Sequence, residues 1–507
     1  MNPMKKIYSI FAVLTLMSTS CSWLDITPAD TVVEEELFSE AEGFHNAING
    51  LYNSMSDSEL YGRELSYGFV EVLSQNYVDG AKSGVYIKGL STYSDYYPLL
   101  KYDYTKEKVQ NKIESIWKKA YFTIANANNI IKNIDNLTPG DFEYGQEEMN
   151  LIKGEALAVR ALLHFDMLRL FAPAPAVADD KPYIPYLETF PYYGGQANES
   201  VENILTKVAR DLTEAKALIT TFDTLDKTRR AKLSSFSRFQ LATGGTNAGA
   251  FYEYRGYRIN IMAVTGLLAR VYSYWGKYDK AFELANEAAD FVYDETENYK
   301  ALSYSSGVQM KNDRKFSSDL MFCLSDINMT ENYEVHATAS SNDYFNLDAK
   351  VVQFEGTPEA DAGDNRLVYL MTKNTRFGQT GYAPLKYIKL DNGNDRAKMV
   401  ADMLPIIRLS EMHFIMAEAK ANEGNFSETD GANYYLNLIR EGRNCKKMNL
   451  GITDMESFKK QLFMEVRKEY CNEGHTFYYF KKYNTLLTTK MIPENFIIPI
   501  PQSEKIN

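Results

Sequence analysis

Imidazole, indole and thiol groups are scarce in this chain, whose 507 residues include 5 His, 3 Trp and 4 Cys. So few histidines leave little material for a metal centre, and neither His164 nor His413 has a second ligand four residues on. Both lie in helical patterns and are expected as packed core residues. The cysteines show no CxxC spacing and no paired His, which argues against a zinc site or a disulfide framework. No apolar run reaches the ~18 residues of a membrane-crossing helix. Basic charge is in deficit as well: 55 Lys and Arg stand against 67 Asp and Glu, and the net charge of −12 repels a phosphate backbone, which excludes nucleic acid as a partner. GxSxG, HExxH and P-loop signatures are missing. Among so many acids chance carboxylate pairs are inevitable, and none is marked as lying at glycosidase separation. No catalytic residue, metal ligand or cofactor is assigned, and a structural calcium is left open.

What the chain has is rings: 37 Tyr and 27 Phe, within an ordinary globular composition of 45% hydrophobic and 24% charged residues. That balance favours contact surfaces over metal chemistry and rules out a disordered chain. The length allows several domains or one large unit with a sizeable core.

The first residues have the order of a secretory signal. Lys5 and Lys6 precede the apolar run Ile7 to Met17, then Ser18, Thr19, Ser20 and Cys21. A small-residue site ending in Cys has the form of a bacterial lipoprotein processing site. Residues 1–20 are therefore expected as a signal peptide, and Cys21 as a lipidated first residue followed by a polar linker over 21–30. At ~0.8 kcal/mol per buried methylene, two or three acyl chains would hold the protein at a membrane permanently. Cys323, Cys445 and Cys471 remain. A Cys445 to Cys471 bridge is one reading, and buried free thiols are the expected one.

Apolar residues at spacings of three and four predict helices over 107–137, 147–171, 199–219, 259–275, 278–292, 405–423, 432–440 and 455–471. Leu137-Thr138-Pro139-Gly140 and Pro173 supply stop signals. Leu268, Ala269, Tyr272, Gly276, Ala281 and Ala288 fall at tetratricopeptide-repeat spacing, where Ala permits close helix approach. The segment 405–440 repeats that arrangement, and 107–171 is a third candidate pair. Between Tyr299 and Met403 the helical period is lost, with short strands expected at Leu320 to Leu324 and Tyr387 to Leu390. So long an irregular insertion in a helical frame is expected to be functional. Glu465, Glu469 and Glu473 share one helical face beside Arg467 and Lys468 and are expected in ion pairs.

Four stretches in this order resemble the SusD/RagB family of Bacteroidetes outer-membrane nutrient-binding lipoproteins. The first is Cys21-Ser22-Trp23-Leu24-Asp25-Ile26-Thr27-Pro28. The second joins Trp117, Tyr121, Asn126, Asn128 and Ile130 to Gly154-Glu155-Ala156, Arg160-Ala161, His164-Phe165, Leu168 and Phe171. The third is Glu465-x-Arg467-Lys468-Glu469-x3-Glu473-Gly474-His475, and the last Phe496-Ile497-Ile498-Pro499-Ile500-Pro501 with Glu504 and Asn507. The resemblance covers essentially the whole chain. Val466, Thr476 and the surroundings of Tyr479 depart from the common pattern at positions that look internal.

The resemblance implies a mainly α fold, a tetratricopeptide-like helical scaffold with loop-rich insertions and a few short strands. It divides the mature chain into an N-terminal helical region, 31–298, and a C-terminal region, 299–507, whose insertion spans 299–403. It further implies a non-enzymatic, cell-surface protein, lipid-anchored in the outer membrane. Such a protein captures an oligosaccharide or polysaccharide and delivers it to a SusC-like TonB-dependent barrel. A peptide-binding member of the family and a pure assembly scaffold are the alternatives. Sugars need flat rings for their C–H faces and polar side chains for their hydroxyls, and with Trp117 and Trp275 at scaffold positions Tyr or Phe must supply the rings. The expected ligand-binding residues are Tyr93, Asp95, Tyr96 and Tyr97 in one irregular segment, and Asn342, Asp343, Tyr344 and Phe345 in the insertion.

Overall fold

Helices follow one another through the first half of the chain because its apolar positions recur at helical spacing and its breaks carry caps. The computed structural model describes residues 34–505, apart from 83, 193–196, 242–246, 295–298, 339, 355–362, 391 and 448. The expected signal peptide, Cys21, the linker and Asn507 lie outside the described residues. The main helices are α1 (Ala41–Ser56), α2 (Glu107–Asn133), α3 (Gly145–Phe171), α4 (Val201–Asp223), α5 (Ile261–Trp275) and α6 (Tyr278–Ala289). The C-terminal part adds α7 (Leu409–Asn422), α8 (Ala432–Gly442), α9 (Met455–Glu469) and α10 (Thr476–Lys482). From α1 to α8 each packs on the next, the stacking expected of tetratricopeptide-like pairs.

α3 is the central member. Its residues are buried on every side from Gly154 to Phe171, so it reads as hydrophobic all round where α2 and α4 show one apolar stripe. It ends after the Ala172 N–H donates to Leu168 O, where Pro173 has no backbone donor to continue the ladder. Ser200 caps α4 by accepting from the Asn203 N–H, Asn260 caps α5 through the Ala263 N–H, and Gly276, at φ +81°, closes α5 in the left-handed conformation. Gly154 permits the close approach of α3 and α4: a Cβ there would lie 2.9 Å from Ile219 Cγ1 and 3.1 Å from Ala215 O. Gly154→Ala is expected to lose about 1–3 kcal/mol through overpacking, read as a lower urea midpoint at unchanged slope.

The insertion carries strands β1 (Leu320–Ser325), β2 (Leu347–Asp348), β3 (Met371–Arg376), β4 (Gln379–Pro384) and β5 (Met403–Arg408). β1 pairs antiparallel with β5, and β2, β4 and β3 form a second antiparallel sheet in that order. Two expectations are corrected here. Residues 405–408 are a buried strand, with Pro405 opposite Cys323 beside a register shift, and the helix starts only at Leu409. Residues 387–390 form no strand: the Tyr387 ring is buried against Tyr67 and Tyr333, and its hydroxyl donates to Asn472 O at 3.2 Å.

His164 is a neutral core residue, as expected. Its Nδ1 donates to Arg160 O and its Nε2 accepts the Leu187 N–H, each at 2.9 Å, and burial pulls its pKa down to about 3. Cys323, Cys445 and Cys471 are buried free thiols. Val466 and Thr476 are buried too. Glu465, Glu469 and Glu473 are buried in a network with Arg366, Arg408, Arg440, Arg443, Lys386 and Lys468, which ties the insertion to β5, α8 and α9.

Candidate ligand-binding site

A groove of about 1440 Å³ runs beside α1. That exceeds the about 300–1,000 Å³ of ordinary small-molecule pockets and suits an extended ligand. One wall is the polar face of α1. Phe44, Ile48, Leu51 and Met55 turn that helix inward, which leaves Asn46, Asn49 and Asn53, spaced by three and four, along the groove. All three are exposed, and their side-chain amides have no hydrogen-bond partner among the described residues.

Another wall is the segment 250–258, built from two short 3-10 helices and held by buried charges. Glu155 of α3 accepts from Arg255 Nη1 at 2.5 Å, Arg258 Nε at 2.9 Å and the Tyr52 hydroxyl at 2.8 Å, while Asp223 of α4 takes Arg255 Nε at 2.9 Å. Phe251 is sandwiched between His45, stacked at 3.7 Å, and the Arg258 guanidinium at 3.9 Å, so both its faces are used. Tyr254, 38% exposed, and Tyr257, half-buried, present rings to the groove with centroids 6.4 Å apart. The third side is the turn after β1, with Asp326, Ile327, Asn328 and Asn332, beside Asp402 ahead of β5. Rings and amides facing one channel can stack on apolar faces and bind hydroxyls, the combination a sugar or a peptide backbone requires.

The two segments singled out in the sequence meet in space. The Ser91 N–H donates to Asn342 O at 3.0 Å, Ser91 Oγ to Asn342 Oδ1 at 3.1 Å, and Leu90 bridges to Asp343. Their members have different surroundings. Tyr96 is 1% exposed, its hydroxyl donating to Glu64 Oε1 at 2.9 Å with Lys112 over its ring at 4.0 Å. Phe345 is buried between Tyr77 and His336, each stacked at 4.7 Å. Asp95 pairs with Lys108, and Tyr97 and Tyr344 are half-buried, as is Asp343, which lies 3.8 Å from His336. Tyr93, 79% exposed, and Asn342 face solvent.

A second exposed aromatic feature had no sequence signal beyond Phe377-Gly378. These residues, at φ +49° and +75°, turn the β3–β4 hairpin, a left-handed pair that favours Asn-Gly. Phe377 is 74% exposed and meets Tyr86 at 5.0 Å. Gln379 pins the tip by accepting the Tyr86 N–H at 2.8 Å and donating to Gly84 O at 2.5 Å. A bulky ring at a strained turn is unfavourable locally. Phe377→Asn is therefore expected to stabilise the fold by about 0.5–1 kcal/mol in a thermal melt while removing the exposed ring.

Two family models match in succession: a SusD-like model described as "Starch-binding associating with outer membrane" over residues 23–241, and the SusD family model over residues 270–496. The chain belongs to the SusD/RagB family. SusD superfamily structures share the fold. One from Bacteroides thetaiotaomicron is 21% identical, covers 92% of this chain and 98% of its own, and superposes with a TM-score of 0.67. A SusD-like carbohydrate binding protein from Bacteroides vulgatus is 18% identical over 89% of this chain and 84% of its own, with a TM-score of 0.61. The SusD-like protein P2 of Formosa agariphila is 26% identical over 174 residues, 34% of this chain and 31% of that relative; the match spans about a third of the relative's length.

Both SusD-matched regions supply groove residues, α1 from the first and the 325–332 turn from the second. The tyrosines Tyr254 and Tyr257 come from a segment between the two matches. Among the described residues no group of three or more His, Cys, Asp or Glu side chains is placed to hold a metal ion, and no helix is long and apolar enough to cross a membrane.

Proposed function

We propose that this SusD-family protein binds an oligosaccharide in the groove between α1 and residues 250–258 and delivers it, uncut, to a SusC-like TonB-dependent outer-membrane barrel. The observation that carries this reading is a channel of about 1440 Å³ flanked by partner-free asparagine amides and tyrosine rings. A ring that removes ~40–60 Å² of apolar sugar surface from water contributes ~1–1.5 kcal/mol, so the few rings of the groove give weak binding suited to cargo that must be released. The anchor is placed at Cys21, at the cell surface. Tyr93 and Asn342, exposed where the two predicted segments meet, are proposed as a further contact, with Tyr86 and Phe377 as the outer platform.

Calorimetry of the unlipidated protein against glycan and peptide libraries tests the proposal. Saturable glycan binding, weakened about tenfold by Tyr254→Ala, is the expected result for a ring worth ~1–1.5 kcal/mol. An Asn49→Ala/Asn53→Ala double variant is expected to weaken binding without lowering thermal stability. Peptide binding alone, or release of shortened sugars over time, would overturn the reading.

A further inference from the structure

Charge in the groove is unevenly neutralised. Its described cations are already engaged: Arg63 Nε donates to Glu64 at 3.0 Å, Arg258 Nε to Glu155 at 2.9 Å, and Lys398 pairs with Asp395 at 3.1 Å. Its carboxylates are Glu42, Asp57, Glu253, Asp326 and Asp402. Asp57 and Glu253 have lysine partners, Lys119 and Lys232. Asp326 and Asp402 have no cationic partner among the described residues. They adjoin each other at one end of the groove, where the Asp326 N–H donates to Asp402 O at 2.9 Å and the Asp402 carboxylate accepts from Ser325 Oγ at 2.5 Å.

The nearby amine compensates only in part. Lys315 is buried with its Nζ unbonded, 4.1 Å above the Tyr387 ring, and burial lowers its pKa to about 7. Burial raises the Asp326 carboxyl above its ordinary range, the Asp57 charge adding to the effect and the hydrogen bonds from Asn328 and Asn332 and the Lys315 charge opposing it. Carboxylates outnumber cations along the groove, so an incoming sulfate or carboxylate would meet net negative charge there, and the net charge of −12 opposes its approach as well.

We infer that the groove selects uncharged glycans and rejects sulfated or uronic-acid polymers, with Asp326 and Asp402 as the discriminating residues. This rests on the carbohydrate reading above. A neutral sugar loses nothing to these carboxylates, which accept its hydroxyl protons as well as any neutral acceptor does.

Affinity electrophoresis of the unlipidated protein in native gels tests the inference. The probes are dextran against dextran sulfate, hydroxyethylcellulose against carboxymethylcellulose, and arabinoxylan against glucuronoxylan. For any polymer that retards the protein, the anionic counterpart is expected to bind about tenfold or more weakly at low salt, with a gap that narrows as salt screens the repulsion. In Asp326→Asn/Asp402→Asn the ratio of neutral to anionic affinity is expected to fall by about tenfold. Retardation by an anionic polymer at least as strong as by its neutral partner overturns the inference and leaves carbohydrate binding standing. No retardation by any glycan, here and in the calorimetric library, overturns both.

Discussion

Glu469→Ala is expected to lower the stability of this protein by about 3–5 kcal/mol, enough to leave much of the chain unfolded at 37 °C. Glu469 is 1% exposed and accepts from Arg443 Nη2 at 2.6 Å, Arg408 Nη1 at 2.5 Å and Arg366 Nη1 at 3.1 Å. Removing the carboxylate takes one partner from each of three buried guanidiniums, leaving Arg443 with Asp319, Arg408 with Glu473 and Arg366 with Asp364 and Glu465, and so an uncompensated positive charge in a low-dielectric interior. Glu469→Gln keeps the shape and one acceptor, so a smaller loss is expected. Burial by itself would raise the Glu469 carboxyl, but Arg443, Arg408 and Arg366 together hold it well below the ordinary carboxylate range. A depressed carboxylate contributes stability that is fully present above its unfolded pKa of about 4.3 and is lost as pH falls toward its folded value. The wild-type urea midpoint is therefore expected to drop steeply below about pH 4.3, and that of Glu469→Gln less steeply. Equal slopes would show that the network does not govern acid unfolding.

The second large effect is expected at Glu155, which couples stability to binding. It holds Arg255, Arg258 and Tyr52 at once and so moors the tyrosine wall of the groove to α3 and α1. Glu155→Ala is expected to cost about 3 kcal/mol or more, since Arg258 would keep only the Phe251 carbonyl as an acceptor. Measured well below the melting temperature, glycan affinity should fall about tenfold because the Tyr254 and Tyr257 rings lose their fixed positions. Tyr254→Ala serves as the comparison, losing affinity with little change in stability. Unchanged affinity in folded Glu155→Ala would separate the wall from ligand binding.

Much of the scaffold was legible because its signals are local. The stop at Pro173, the break at Gly276 and apolar spacing placed the main helices within a few residues, while the caps at Ser200 and Asn260 show only in the structure. Residues 405–408 of the strand read as helix because a short buried run with no alternation fits either period. The ion-pair reading of Glu465, Glu469 and Glu473 holds, yet their burial depends on four arginines from three other parts of the chain. At the candidate site, Asn46, Asn49 and Asn53 look in sequence like any solvated helix face. Only the other walls make a groove.

By itself the sequence determined the helical frame, the repeat-like stacking and the family, since propensity, capping and apolar periodicity act over a few residues. Which rings a ligand can touch was decided by the tertiary structure. Tyr93 and Tyr96 lie three residues apart in the same tyrosine-rich segment, yet one is 79% exposed and the other 1%. The difference comes from Glu64, Lys112 and Phe345, which close over Tyr96 from elsewhere in the chain. Exposure is a property of distant neighbours, and no local pattern encodes it.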